Sequence, residues 1–219
     1  MRRTLLILTL LTALSGCVDV PEASRKQAPR PPSRSISPRP EYRQCLAELG
    51  AQHASFTPLP DQYFSSGCSN VGTVRLSSLR SDTASLELSN LGPVTCSMAT
   101  TFAAWARFGA DRAAEQILGS RLARIETFGS YSCRTVAGTN RLSGHATANA
   151  IDISAFVLAD GRRISILDGW SSGTPAERRF LRVVHESACK RFGTVLGPDY
   201  NSAHENHFHL EADSAGFCR

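Results

Sequence analysis

The sequence predicts an α+β domain with a mostly antiparallel central sheet flanked by helices, over residues 43–219. Three observations carry this. Strand-like runs occur in series, and the helical patterns are segregated from them. Two segments place apolar residues at helical spacing. Seven cysteines occur in a chain that opens with an export signal, which adds a disulfide-stabilised frame.

The elements follow in order. Arg2 and Arg3 precede an apolar run over residues 4–14, which has the length of a signal-peptide core and is too short to span about 30 Å of hydrocarbon comfortably. Residues 1–16 therefore read as a signal, and Leu14-Ser15-Gly16-Cys17 resembles the bacterial lipobox, in which Cys17 is lipidated and becomes the new N-terminus. The plainer alternative is an ordinary cleaved signal with a chance Cys. Residues 17–42 intersperse Pro21, Pro29, Pro31, Pro32, Pro38 and Pro40 with Ser and Arg, and offer little to bury. Such a segment cannot offset its ordering entropy and reads as a disordered tether. The net charge of +5 lies mostly in these two segments, and residues 43–219 carry 17 basic against 16 acidic side chains. A domain so near neutrality lacks a phosphate-binding stripe, so no nucleic-acid partner is expected.

Within the domain, strand-like runs cover 73–79, 85–89, 124–129, 150–157, 163–167 and 207–211. Residues 98–118 read as one or two helices around Gly109, and 177–192 as a further helix with Leu181, Val184, Ala188 and Phe192 on one face. Setting Cys17 aside leaves Cys45, Cys68, Cys96, Cys133, Cys189 and Cys218, an even set that predicts three disulfides. The simplest of fifteen connectivities joins neighbours: 45 with 68, 96 with 133, 189 with 218.

Chemistry concentrates in two places. In residues 143–153, His145 precedes Asp152 by seven positions at the entrance to a strand. Alternation puts Ala150, Asp152 and Ser154 on one face and Ile151 and Ile153 on the other. A carboxylate flanked by isoleucines needs a cationic partner, and taken alone a salt bridge to Arg is the first choice. In residues 204–210, His207 and His209 share one strand face while Phe208 and Leu210 fill the other. His53 and His185 read as structural. Two imidazoles and one carboxylate suit zinc and leave a fourth position open, the arrangement of a hydrolytic site.

Ser143-x-His145, Asp152 and His207-x-His209 resemble the metallopeptidase superfamily named for lysostaphin, D-Ala-D-Ala peptidases and hedgehog. Cys96, the run from Gly129 to Arg134, the run from Arg141 to Ile153, and Gly197-Pro198-Asp199-Tyr200-Asn201 are similar to the bacterial extensin-like C-terminal domain family. The resemblance implies a hedgehog/D-Ala-D-Ala peptidase-like fold and one zinc ion held by His145, Asp152 and His209. It sets His207 beside the metal as general base. The spacing His204-x-x-His207-x-His209 also resembles penicillin-insensitive murein endopeptidases. Glu205 lies four residues before His209, out of step with the Glu-x-Trp-His pattern of one D-Ala-D-Ala subgroup, and Gly144 stands where the family resemblance leads us to expect Glu.

The implied reaction is metal-assisted amide hydrolysis. Arg134 is the candidate cation for the oxyanion or a substrate carboxylate, a surface role beside a disulfide being its plainer reading. Arg141, Ser143 and His204 are candidates for substrate or supporting contacts. A monomeric periplasmic lipoprotein, anchored through its N-terminal lipid with the outer membrane favoured, meets peptidoglycan. The expected activity is that of a D,D-endopeptidase. The alternatives are a D,D- or L,D-carboxypeptidase, or a non-catalytic, zinc-containing wall-binding lipoprotein.

Overall fold

The computed structural model describes residues 39–219; the signal at 1–16, Cys17 and residues 18–38 of the tether lie outside the described residues. Helix α1 (Pro40–Ala51) begins within the segment read as tether, with Pro at its first turn, where no amide donor is lost. It buries Tyr42, whose hydroxyl donates to the Thr73 carbonyl at 2.8 Å. The strands are β1 (Ser55–Pro58), β2 (Gln62–Tyr63), β3 (Ser69–Asn70), β4 (Thr73–Arg80), β5 (Ser85–Ser89), β6 (Val94–Thr95) and β7 (Leu122–Gly129). After them come β8 (Ala150–Leu158), β9 (Arg163–Ser165), β10 (Thr194–Leu196), β11 (Phe208–Glu211) and β12 (Phe217–Cys218).

The main sheet runs β1-β4-β5-β7-β8-β11-β10-β12, with β6 on β4, β9 on β8, and a separate β2–β3 pair. Only β5–β7 and β10–β12 are parallel pairings, so the sheet is mixed but mostly antiparallel, and the α+β expectation holds. Run 163–167 is strand only to Ser165. Ser165 then caps the short helix α4 (Ile166–Gly169), accepting from the Asp168 amide.

The Ala-rich region forms α2 (Cys96–Trp105) and α3 (Arg112–Leu118), joined without interruption by a π-turn over Ala106–Asp111 that contains Gly109. A Cβ at Gly109 would stand 2.4 Å from Ser187 Oγ, so glycine is what lets this turn approach helix α5 (Pro175–Cys189). Helix α5 starts from a full capping box, Thr174 with Glu177, and its buried face of Phe180, Leu181, Val184 and Ala188 repeats at helical spacing. Trp105 donates its indole N–H to the Val184 carbonyl, tying the two helical regions together. Among the described residues, no helix is long and apolar enough to cross a membrane.

Strand β8 is the spine of the sheet, and its alternation is broken once. Glu126 faces Ala155 and Thr127 faces Ile153, which leaves Ser154 as an extra residue. The bulge keeps Ile153 and Phe156 on the helix side together. Phe208, opposite Ile153, packs on Trp170 and His185, while Phe156 packs on Trp105 and Phe180. The other face, near Asp152, is left to the site.

Among the described residues three disulfides form, but the neighbour pairing is corrected in two of them: Cys45–Cys96, Cys68–Cys133 and Cys189–Cys218. Helix α1 lies against α2, which brings Cys45 to the first turn of that helix. The loop bearing Cys68 lies against the segment leaving β7, where Cys133 sits. Proximity along the chain is overridden by packing.

Candidate metal centre

Two antiparallel strands build the floor. In the β8–β11 register His209 stands directly opposite Asp152, with His209 Nδ1 2.8 Å from Asp152 Oδ1. His145 arrives from a 3-10 turn, Gly144–Thr147, whose start is capped by Ser143 Oγ accepting from the His145 amide at 3.4 Å. Its Nε2 is 3.1 Å from His209 Nδ1 and 3.1 Å from Asp152 Oδ2. The turn is fixed at its far end by Asn149, which accepts from the Thr95 hydroxyl and donates to the Ala212 carbonyl.

The expected Arg partner of Asp152 is absent from the described residues: the carboxylate faces three imidazoles, the third being His207 with Nε2 at 3.5 Å. One donor atom from each of His145, Asp152 and His209 falls within a sphere of mutual contact, all within 4.8 Å of one another. Ligand atoms on a tetrahedral zinc, about 2.0–2.1 Å from the metal, stand about 3.4 Å apart, a few tenths of an ångström wider than seen here.

The outer nitrogens decide which lone pairs are offered. His145 Nδ1–H donates to the Ser130 carbonyl at 2.7 Å, which leaves Nε2 as the free acceptor. His209 Nε2–H donates to Glu211 Oε1 at 2.7 Å, which leaves Nδ1 as the nitrogen that would ligate a metal once its own proton, shared with Asp152, is lost. Both inner nitrogens face Asp152, and carboxylate or carbonyl support behind a histidine is the usual accompaniment of metal ligation. The residues present fit zinc.

Ionisation follows from the same contacts. Burial alone would lower His209 and raise Asp152. Hydrogen bonds donated to Asp152 and Glu211 outweigh it at His209, which rises to about 9, and imidazole hydrogen bonds hold Asp152 well below the usual carboxylate range. Glu211 is likewise lowered, its burial outweighed by His209. Burial lowers His207, and burial with the neighbouring imidazoles lowers His204 to about 4, so both are neutral near pH 7.

His207 lies just before β11 rather than within it, yet its Nε2 still reaches the site. Asn206 Oδ1 accepts its Nδ1–H at 2.8 Å, and the edge of Phe128 packs on its ring. The Gly197–Asn201 motif supports this arm. Asp199 accepts the Trp170 indole N–H, Tyr200 packs on His204, and Asn201 Oδ1 accepts His204 Nδ1–H at 2.7 Å.

The segment after β7 runs beside the ligand turn, with Ser132 N–H donating to the His145 carbonyl and Ser143 N–H to the Arg134 carbonyl. Arg134 and Arg141 sit on the exposed wall of a cleft of about 820 Å³ that also contains Asp152, His204, His207 and His209. Neither arginine has an ion-pair partner among the described residues. Glu205 is exposed and absent from the cleft lining. His185 packs between Trp170 and Phe208, and His53 closes the end of α1 with a positive φ of 57°, so both keep structural positions.

Sequence reasoning missed Ser130, Asn206, Phe128 and Glu211. The first three act through a backbone carbonyl, a neighbouring amide and a ring edge, which leave no signal in residue type. Glu211 did leave one, being two positions after His209 on the same strand face.

A family model described as extensin-like protein C-terminus matches residues 43–219. No curated protein and no solved structure matches the chain.

Proposed function

From the premise that the chain belongs to the extensin-like protein C-terminus family, we propose that its domain is a zinc-dependent peptidoglycan hydrolase that cuts amide bonds of stem-peptide cross-links as a D,D-endopeptidase. The observation that carries this reading is the convergence of His145 Nε2, Asp152 and His209 Nδ1 beside a cleft that Asp152, His207 and His209 line. When bound there, zinc supplies a Lewis acid for a carbonyl and acidifies water toward a pKa of roughly 7.

The chain's own residues supply the rest. Ser130 and Glu211 hold the outer nitrogens of His145 and His209, so that Nε2 of the first and, once deprotonated, Nδ1 of the second turn inward. His207, neutral near pH 7 and pinned through Nδ1, offers Nε2 to take a proton near Asp152 Oδ1. Arg134 and Arg141 set positive charge on the cleft wall, where a substrate carboxylate or a developing oxyanion is stabilised. Stem peptides carry both free carboxylates and amide cross-links, which fits this pairing. In this reading the protein is a periplasmic lipoprotein anchored through Cys17.

Digestion of purified sacculi by the soluble chain, with and without zinc, tests the proposal. Zinc-dependent loss of cross-linked dimers is expected, and His145→Ala, Asp152→Ala and His209→Ala should each abolish zinc retention. His207→Ala should keep zinc and lose roughly 10²- to 10⁴-fold in rate. Trimming of stem ends without loss of dimers would make it a carboxypeptidase. Undiminished wall function in His207→Ala would leave a binding protein.

A further inference from the structure

Glu211 has a place of its own in this site. Its carboxylate lies two residues beyond His209 on β11, and Oε1 accepts the Nε2–H of that ring at 2.7 Å. Its surroundings are equally specific. The same carboxylate packs against the Cα of Gly144, the residue before His145. A Cβ built on Gly144 would stand 2.6 Å from Glu211 Cδ and 2.7 and 2.8 Å from its two oxygens. Real Cβ atoms do not approach other atoms so closely, so the carboxylate occupies the space that any side chain at 144 would take. Gly144 has no positive φ to explain the absence of a side chain. Its bareness is explained by what fills it.

We propose that Glu211 is a positioning residue that fixes the tautomer and ring orientation of His209 and bridges the two ligand-bearing segments, and that Gly144 is required because it makes room for that carboxylate. The inference rests on the zinc reading of the site. Carboxylates behind ligating histidines raise ligand basicity, and their loss typically costs 10- to 100-fold in metal affinity. Here the same carboxylate also packs β11 against the turn carrying His145, so one side chain spaces two of the three donors.

The test uses the whole mature chain and four variants: Glu211→Ala, Glu211→Gln, Gly144→Ala, and Gly144→Ala with Glu211→Ala. Zinc affinity is read by competition against a chelator, with near-ultraviolet circular dichroism to verify the fold. Glu211→Ala should weaken zinc 10- to 100-fold. Gly144→Ala, which leaves the carboxylate intact but takes its seat, should weaken it comparably. The double variant should be no worse than the weaker single one, because each change removes the same contact. Glu211→Gln, which keeps the shape and an acceptor oxygen, should recover part of the affinity.

A structural role alone would not move the second readout, the imidazole ¹⁵N spectrum of His209 in metal-free protein. The hydrogen-bonded Nε2–H should be present in the natural chain and lost in both Glu211→Ala and Gly144→Ala. Zinc affinities within threefold of the natural chain in Glu211→Ala and Gly144→Ala, or additive losses in the double variant, would overturn the inference. If the natural chain itself binds no zinc, the metal reading fails, and the nitrogen spectrum still decides whether Glu211 holds the ring. Should Glu211→Ala not fold, Glu211→Gln and Gly144→Ala carry the same comparison.

Discussion

Replacing Cys68 and Cys133 together by alanine opens a loop of 65 residues, and that length sets the cost. The chain-entropy relation gives about 14–15 cal/mol/K for a loop of this size, or about 4.3 kcal/mol at 25 °C. With a urea dependence of about 2 kcal/mol/M, the unfolding midpoint should fall by about 2 M. The bridge also anchors the segment whose Ser130 carbonyl and Ser132 amide grip His145, so zinc affinity should fall with it. Urea titration followed by circular dichroism measures the first effect, chelator competition the second. A companion variant, Cys45→Ala with Cys68→Ala, checks the connectivity itself. It removes one partner from each of two bridges and should expose two free thiols, on Cys96 and Cys133. A thiol titration that finds none in this variant would mean Cys45 pairs with Cys68, and both the loop length and the argument built on it would be wrong.

Three other outcomes are expected. In metal-free protein His209 is raised from 6.5 to about 9, so its contribution to stability is complete below pH 6.5 and fades as pH rises through 9; melting temperature should fall across that window, while zinc-loaded protein, which needs the ring deprotonated, should not show the same fall. Asp111 is fully buried in the π-turn and accepts from both Arg121 and the Leu122 amide; Asp111→Ala strands that amide, while Arg121 keeps Glu115 and Asp82 within reach, and should cost about 1–3 kcal/mol in urea unfolding. Gly109→Ala drives a methyl into Ser187 Oγ and the Trp105 ring and should destabilise by about 1–3 kcal/mol, with Ser187→Ala in the same chain restoring part of the loss.

How far the sequence reached depends on how local each signal was. The strands bearing Asp152 and His209 were legible because alternation placed both side chains opposite a buried apolar face, and β8 and β11 keep that pattern across the site. Helix α5 was legible because Leu181, Val184 and Ala188 repeat on one buried face, although the helix begins at Pro175 and ends at Cys189, before Phe192. Helix α1 was not, since it buries only Tyr42 and Leu49 and its opening proline reads equally well as tether. The Ser154 bulge was invisible because it arises in the pairing with β7, where the Ser154 hydroxyl donates to the Glu126 carbonyl at 3.2 Å. Disulfide partners were set by packing between segments 51 and 65 residues apart, helix on helix for Cys45–Cys96 and loop on loop for Cys68–Cys133. At the site, His145, Asp152, His207 and His209 were chosen by residue type and spacing, and the structure brings all four together. Glu211 was overlooked although the same alternation pointed to it.

The pairing of Phe208 with Ile153 and of His209 with Asp152 is one decision, not two. Sliding β11 by a single residue would turn Phe208 outward into the cleft and His209 inward against Trp170 and His185. A chain that has mispaired here cannot conceal the error, because the cost of the exposed ring and the buried imidazole is felt at once in folding. The hydrophobic side of the strand thereby proofreads the polar side. A molecule whose core has closed correctly has already aligned its donors, and no selection on metal binding is needed to enforce that register.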